Sequence, residues 1–308
     1  MTNENARSIV LGNVEVIRIV EWQGPFAPAR ALVPDAGAEV WKDNEEWLAP
    51  DHWTPDTDDA VMALQTWVLR SGGRTVLVDT GVGDGRERPH SPHFHRRRDG
   101  FVGRLERAGV RPEDVDVVVN THLHADHVGW NTYDEGGEWA PTFPNARYLL
   151  PAADDFHFGP ENAYGAGRQE EDRLVYEDSV APVHRAGLVT LWDGTHRIDE
   201  NLVLESAPGH TPGSAVLRLA SGTDRAVFVG DLLHSPVQIL DPAHASCFCL
   251  DPARAATSRR RILERAADER ELVVPAHFGG AGATEVRRQG QGFALAGWAS
   301  YEADRIRR

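Results

Sequence analysis

Three histidines and an aspartate crowd into Thr121-His122-Leu123-His124-Ala125-Asp126-His127. Imidazole nitrogens and carboxylate oxygens are the ligands that zinc and related divalent ions take. The motif follows the β-branched run Val115, Val117, Val118, Val119, so a strand ending near Asn120 would deliver it to a loop at the carboxyl end. Alternate side chains of extended backbone share a face; His122 and His124 then point one way, while Asp126 and His127 turn toward a neighbouring point. That pattern suits two adjacent ions. A purely structural use is the weaker reading, because crowded imidazoles and a carboxylate all lose hydration and the imidazoles repel one another on protonation.

Four further motifs follow the same rule of position. Asp79-Thr80-Gly81 succeeds Thr75-Val76-Leu77-Val78, and Asp231 succeeds Val227-Phe228-Val229-Gly230. His277 succeeds Leu272-Val273-Val274-Pro275-Ala276, and His210 sits in Ala207-Pro208-Gly209-His210-Thr211-Pro212-Gly213. Asp79 at a strand end could accept a hydrogen bond from a metal-bound histidine and fix its tautomer. With His-x-His-x-Asp-His, this ordered set resembles the signature of the metallo-β-lactamase superfamily over about residues 60–280. The resemblance implies an α/β fold, an αββα sandwich of two mixed β-sheets with helices on the outer faces and the site at one edge. It also implies His122, His124 and His210 around one ion, Asp126, His127 and His277 around the other, and Asp231 bridging. Catalytic parts fall to Asp126, Asp231 and His234, with a metal-bridging hydroxide as nucleophile. Two divalent ions are expected, Zn2+ first, with Mn2+, Fe2+ and Co2+ acceptable to the same ligands.

A bridging aspartate resembles the lactonase, phosphotriesterase and glyoxalase II branches more than many zinc β-lactamases. The piece Gly230-Asp231-Leu232-Leu233-His234-Ser235-Pro236-Val237-Gln238 looks most like the lactonase and methyl-parathion-hydrolase branch. Lactonases of that branch often carry a tyrosine near the position of His234, and an imidazole there offers a comparable donor or proton carrier. The resemblance therefore implies a hydrolase of a small-molecule lactone or other ester, an N-acyl homoserine lactone among them. Alternatives are an organophosphate triester or a glyoxalase II-like thioester as substrate. Outside hydrolysis stand a di-iron oxygen-activating protein and a metal-stabilised binding protein.

The elements that must position these residues are readable in outline. Residues 8–20 read as a hairpin with its turn at Gly12-Asn13 or as one bent strand, and a hairpin joins 66–70 to 75–78. Helical spacing marks 101–108, and 152–185 reads as broken helices. Strands are predicted over 146–150, 188–192, 202–206, 215–219 and 226–229. A helix starts at Asp251-Pro252, and another is predicted over 291–306. Residues 24–57, with Trp41, Trp47 and Trp53, are too long for a simple connector and read as an ordered lid or homodimer interface. Because the motifs span most of the 308 residues, one domain, 1–308, is expected.

Acidic residues number 47 against 32 basic, a formal charge of −15, which argues against a nucleic-acid partner. The short Arg96-Arg97-Arg98 and Arg259-Arg260-Arg261 pieces read as solvated surface. No apolar run approaches the ~18 residues that span a bilayer, and residues 1–7 lack a basic region followed by an apolar one, so a cytoplasmic protein without membrane attachment is expected. Cys247 and Cys249 read as reduced, half-buried thiols in a strand. His90, His93 and His95 read as a proline-broken surface loop without a ligand.

Overall fold

Seventeen strands form two large sheets and a small ribbon among residues 7–162 and 168–301, which the computed structural model describes. They are β1 (Arg7–Leu11), β2 (Val14–Pro28), β3 (Trp53–Thr54), β4 (Asp59–Ser71), β5 (Arg74–Val78), β6 (Val117–Val119), β7 (Thr132–Asp134), β8 (Trp139–Pro141) and β9 (Arg147–Pro151). The rest are β10 (Val189–Trp192), β11 (Thr195–Arg197), β12 (Leu202–Ser206), β13 (Ala215–Ser221), β14 (Asp224–Gly230), β15 (Leu272–Pro275), β16 (Thr284–Gln289) and β17 (Gly292–Trp298). One sheet has the order β1-β2-β4-β5-β6-β9-β10, with β3 paired to β4, and the other runs β11 to β17 in sequence order. Strands β7 and β8 make the ribbon.

Both sheets are mixed. In the first, β5, β6, β9 and β10 are parallel neighbours. Their continuous Val and Leu runs match burial on both faces. In the second, β14 and β15 are parallel and all other pairs antiparallel. Contacts divide the chain into two compact units, with boundaries at Glu21/Trp22, Ala63/Leu64, Asp193/Gly194 and Ser300/Tyr301. The first unit is built around Leu77, Phe101, Val118, Phe143, Tyr148 and Leu150. The second has one core around Val216, Val227, Ile262, Val273 and Phe278, and another around Leu32, Trp41, Leu48, Trp53, Met62 and Val237.

The helix Pro252–Glu269 begins where the sequence indicates. Asp251 accepts a hydrogen bond from Arg254 N at 3.0 Å, and Ala255, Ile262, Leu263 and Ala266 are buried at helical spacing. Three expectations need correction, and the first is that Arg259, read as solvated surface, is buried, with Nε donating to Leu232 O and Nη1 to Pro242 O at 2.6 Å each. Residues 292–298 are strand β17, paired antiparallel with β16 around a turn in which Gly290 takes φ 58°, so cross-strand pairing overrides the helical pattern read over 291–306; residues 302–306 of that span, like residues 1–6 at the amino terminus, lie outside the described residues. Cys247 and Cys249 lie in a turn-rich loop rather than a strand, neither in a disulfide, with Cys247 exposed. Residues 24–57, outside these corrections, are ordered: they begin as the end of β2 and continue through the short helices Ala29–Leu32, Ala38–Lys42 and Glu45–Leu48 to β3. Trp41 and Trp53 of that segment are core residues, with ring centroids 6.1 Å apart. No helix among the described residues is long and apolar enough to cross a membrane.

Candidate metal centre

In the first unit, the register pairs Val78 with Val119, so β5 and β6 end together and set Asp79 beside Asn120. Asp79 N donates to Val119 O at 2.8 Å, and the residue then turns into left-handed backbone with φ 58°. That turn carries its carboxylate over the next loop, where it accepts Thr121 N at 2.8 Å, Thr121 Oγ1 at 2.8 Å and His127 Nδ1 at 2.9 Å. A proton on Nδ1 leaves His127 Nε2 with its lone pair, and that atom lies 3.7 Å from Asp126 Oδ1. The Asn120 amide and the Thr80 hydroxyl both donate to His127 O, at 2.8 and 3.1 Å, fixing the loop from the other side. His122 Nε2 and His124 Nδ1 are 3.0 Å apart. Two nitrogens on one tetrahedral zinc at bonds of ~2.0 Å would stand roughly 3.3 Å apart, so this pair is close to a ligating geometry.

In the second unit, the parallel register pairs Gly230 with Pro275, while antiparallel β13 begins where β14 ends. His210, Asp231 and His277 therefore come to one sheet edge although they are far apart in sequence. His210 Nε2 and His234 Nε2 each lie 3.2 Å from Asp231 Oδ2, and His277 Nε2 lies 2.9 Å from Asp231 Oδ1. All four residues are buried. His277 Nδ1 meets the Ala63 carbonyl oxygen at 2.9 Å, which turns Nε2 toward the carboxylate. Gly209, at φ 136°, is required here: a Cβ would fall 2.1 Å from Ala255 N, inside the start of the helix Pro252–Glu269.

Burial opposes charge on His210, yet the Asp231 carboxylate outweighs it and holds the imidazole up at about 9. For His234 burial wins, pushing it down to about 4 despite Asp231. Three buried imidazoles facing one carboxylate are chemically consistent only with protons or cations between nitrogen and oxygen. Asp231, His234 and His277 form one group whose donor atoms lie within 4.8 Å of one another, close enough to share an ion. The donor types, the burial and the oxygen partners on the far ring nitrogens of His127 and His277 fit divalent metal.

The profile of the metallo-beta-lactamase superfamily matches residues 62–277, more than half of the chain. The chain belongs to the metallo-beta-lactamase superfamily. It is a metal-dependent hydrolase of that superfamily, with the mixed sheets and helices of its fold. Ribonuclease TTHA0252 of Thermus thermophilus is 31% identical over 191 residues, 57% of this chain but 37% of that protein, so the chain spans little more than a third of this relative. An N-acyl homoserine lactonase of Bacillus cereus is 24% identical over 72% of this chain and 84% of its own length. The solved structure of AidC, a dizinc quorum-quenching lactonase bound to N-hexnoyl-L-homoserine, shares the fold with a TM-score of 0.78 at 21% identity, covering 96% of this chain and 98% of that one.

His90, His93 and His95 belong to no metal-capable group among the described residues; the His90 backbone N–H donates to Glu171 and His95 Nδ1 accepts from Arg88 N. A cavity of about 480 Å³ lies in the second unit between Arg30, Lys42, Glu45, Trp53 and Asp58. It contains no ligand candidate, and its Arg30 and Asp58 pair at 2.7 Å. Sequence reasoning missed Cys249, whose Sγ lies 3.9 Å from His210 Nδ1. No motif announces that contact.

Proposed function

We propose that this chain is a binuclear metal-dependent lactonase, with N-acyl homoserine lactones as the leading substrate class. His122, His124 and His210 would hold one ion, Asp126, His127 and His277 the other, with Asp231 shared. The observation that carries the reading is the Asp231 carboxylate met by the Nε2 atoms of His210, His234 and His277 at 2.9–3.2 Å. When bound, two divalent ions, zinc first, supply a water acidic enough to deprotonate near neutral pH and polarise the scissile carbonyl. Asp126 and Asp231 hold negative charge against the cations, while His127 and His277 keep fixed tautomers through Asp79 and Ala63. His234 would orient the substrate carbonyl or hand a proton to the leaving alkoxide.

The relative of 84% coverage named as a lactonase supports the substrate class. The ribonuclease-named relative supports RNA less, because the match covers 37% of it and this chain carries a formal charge of −15. We place both units in a single hydrolase domain, and two cysteines outside any disulfide favour a reducing, cytoplasmic setting. The test is a hydrolysis screen of zinc-loaded protein on N-acyl homoserine lactones, aryl esters, thioesters, phosphotriesters and β-lactams. Lactones should give the highest kcat/KM, and chelation should abolish it. Preference for a thioester or phosphotriester by tenfold or more would replace the lactonase reading with one of those hydrolases.

A further inference from the structure

The proposed ligand histidines differ in what holds the far side of the ring. His127 Nδ1 meets the Asp79 carboxylate at 2.9 Å, His277 Nδ1 the Ala63 carbonyl at 2.9 Å, and His122 Nδ1 the Thr121 hydroxyl at 3.2 Å. His210 Nδ1 instead faces sulfur, Cys249 Sγ at 3.9 Å, while its Nε2 faces Asp231 at 3.2 Å. The approach is fixed by the backbone. Leu250 N donates to His210 O and Asp251 N to Gly209 O, both at 2.9 Å, so residues 249–251 are tied to 209–210. Ser246 supports the thiol from behind, its Oγ 3.7 Å from Sγ and its carbonyl accepting Cys249 N at 3.1 Å.

We propose that Cys249 is a positioning residue for His210. Its sulfur accepts the Nδ1 proton, which selects Nε2 as the ligating nitrogen and aims it at the position shared with Asp231. This inference rests on the metal-centre reading above. A sulfur acceptor is weaker and longer than the oxygen acceptors of the other rings, so the ion nearest His210 should be the more readily lost of the two.

The test uses the zinc-loaded full chain and reads metal retention by chelator competition, together with the ¹⁵N signals of the His210 ring. Cys249→Ala and the similarly sized Cys249→Val should lower the affinity of one ion about 10- to 100-fold, the range for losing such a partner. Cys249→Ser should stay within a few fold of the parent because its hydroxyl still accepts, and Cys247→Ser should change nothing. In the parent, Nδ1 should carry a slowly exchanging proton whose exchange quickens in the alanine and valine variants. Parent-like affinity in either of those variants, while His210→Ala loses an ion, would overturn the positioning role alone. So would a parent in which zinc-loaded His210 carries no proton on Nδ1. Full metal content in His210→Ala would instead overturn the metal-centre reading beneath it.

Discussion

Asp231 is the residue on which the proposed chemistry turns, because three imidazoles converge on its two oxygens. Asp231→Ala removes a carboxylate at a strand end rather than core volume, so the chain should stay folded while metal content falls and turnover drops by roughly 100-fold or more; elemental analysis and lactone kinetics on one preparation check both. Unchanged turnover at unchanged occupancy would show that Asp231 does not bridge. His234 separates from it. His234→Ala should keep two ions and lower kcat/KM by ~10- to 1,000-fold, and His234→Tyr should recover part of the loss. Glu21, which is not a proposed ligand, accepts Val82 N and Trp130 Nε1 at 3.0 Å each, and burial raises its carboxyl from 4.5 to about 7 against those two bonds. Between pH 4.5 and 7 the folded chain keeps a proton that the unfolded chain has released. Stability should therefore fall as pH rises through that window, by roughly 3 kcal/mol in all. Urea unfolding at pH 5 and pH 8 should show that slope flattened in Glu21→Gln, and an undiminished slope would assign it to other groups.

At the scale of elements, residues 24–57 supply part of a core of the second unit. Trp41 is wholly buried against Leu32, Leu48, Trp53 and Val237, and Val237 opens the short helix just beyond His234. The segment thereby underpins the loop that carries His234, whose backbone N–H is also held by Gln238 Oε1 at 2.7 Å. Trp41→Ala should destabilise the chain by about 3–5 kcal/mol, as large-to-small core changes do. Asp251→Ala should cost only about 1 kcal/mol through loss of a helix cap. Equal effects in denaturant titrations would contradict the difference drawn between core and cap.

At the scale of the whole molecule, the proposed ligands come from four separate stretches of chain, so bound metal belongs to the folded state and barely to the unfolded one. Free zinc at about 100 times its Kd adds roughly 2.7 kcal/mol of stability per site. Stripping the protein with a chelator should lower Tm by several degrees, and zinc should restore it. In His122→Ala/His124→Ala the zinc-dependent gain should shrink. A Tm indifferent to chelation in the parent would argue that the imidazole and carboxylate clusters bind no ion.

The sequence by itself determined the types of the proposed ligands, their order and their placement at strand ends, because ligation demands particular side chains and an apolar run ending in His or Asp marks where a buried strand meets a loop. The helix from Pro252 and the hairpin at Gly12-Asn13 were legible for the same local reasons, capping and turn chemistry. Only the tertiary structure decided what orients the imidazoles. Ala63 is 214 residues from His277 and contributes a backbone carbonyl, a group every residue carries and no motif can announce. The Cys249 thiol reaches His210 through two backbone hydrogen bonds between distant loops. Strand β17 likewise departs from its local pattern because its pairing partner lies across a turn. Periodicity reports which face of an element is apolar; which distant backbone meets that face is fixed by packing.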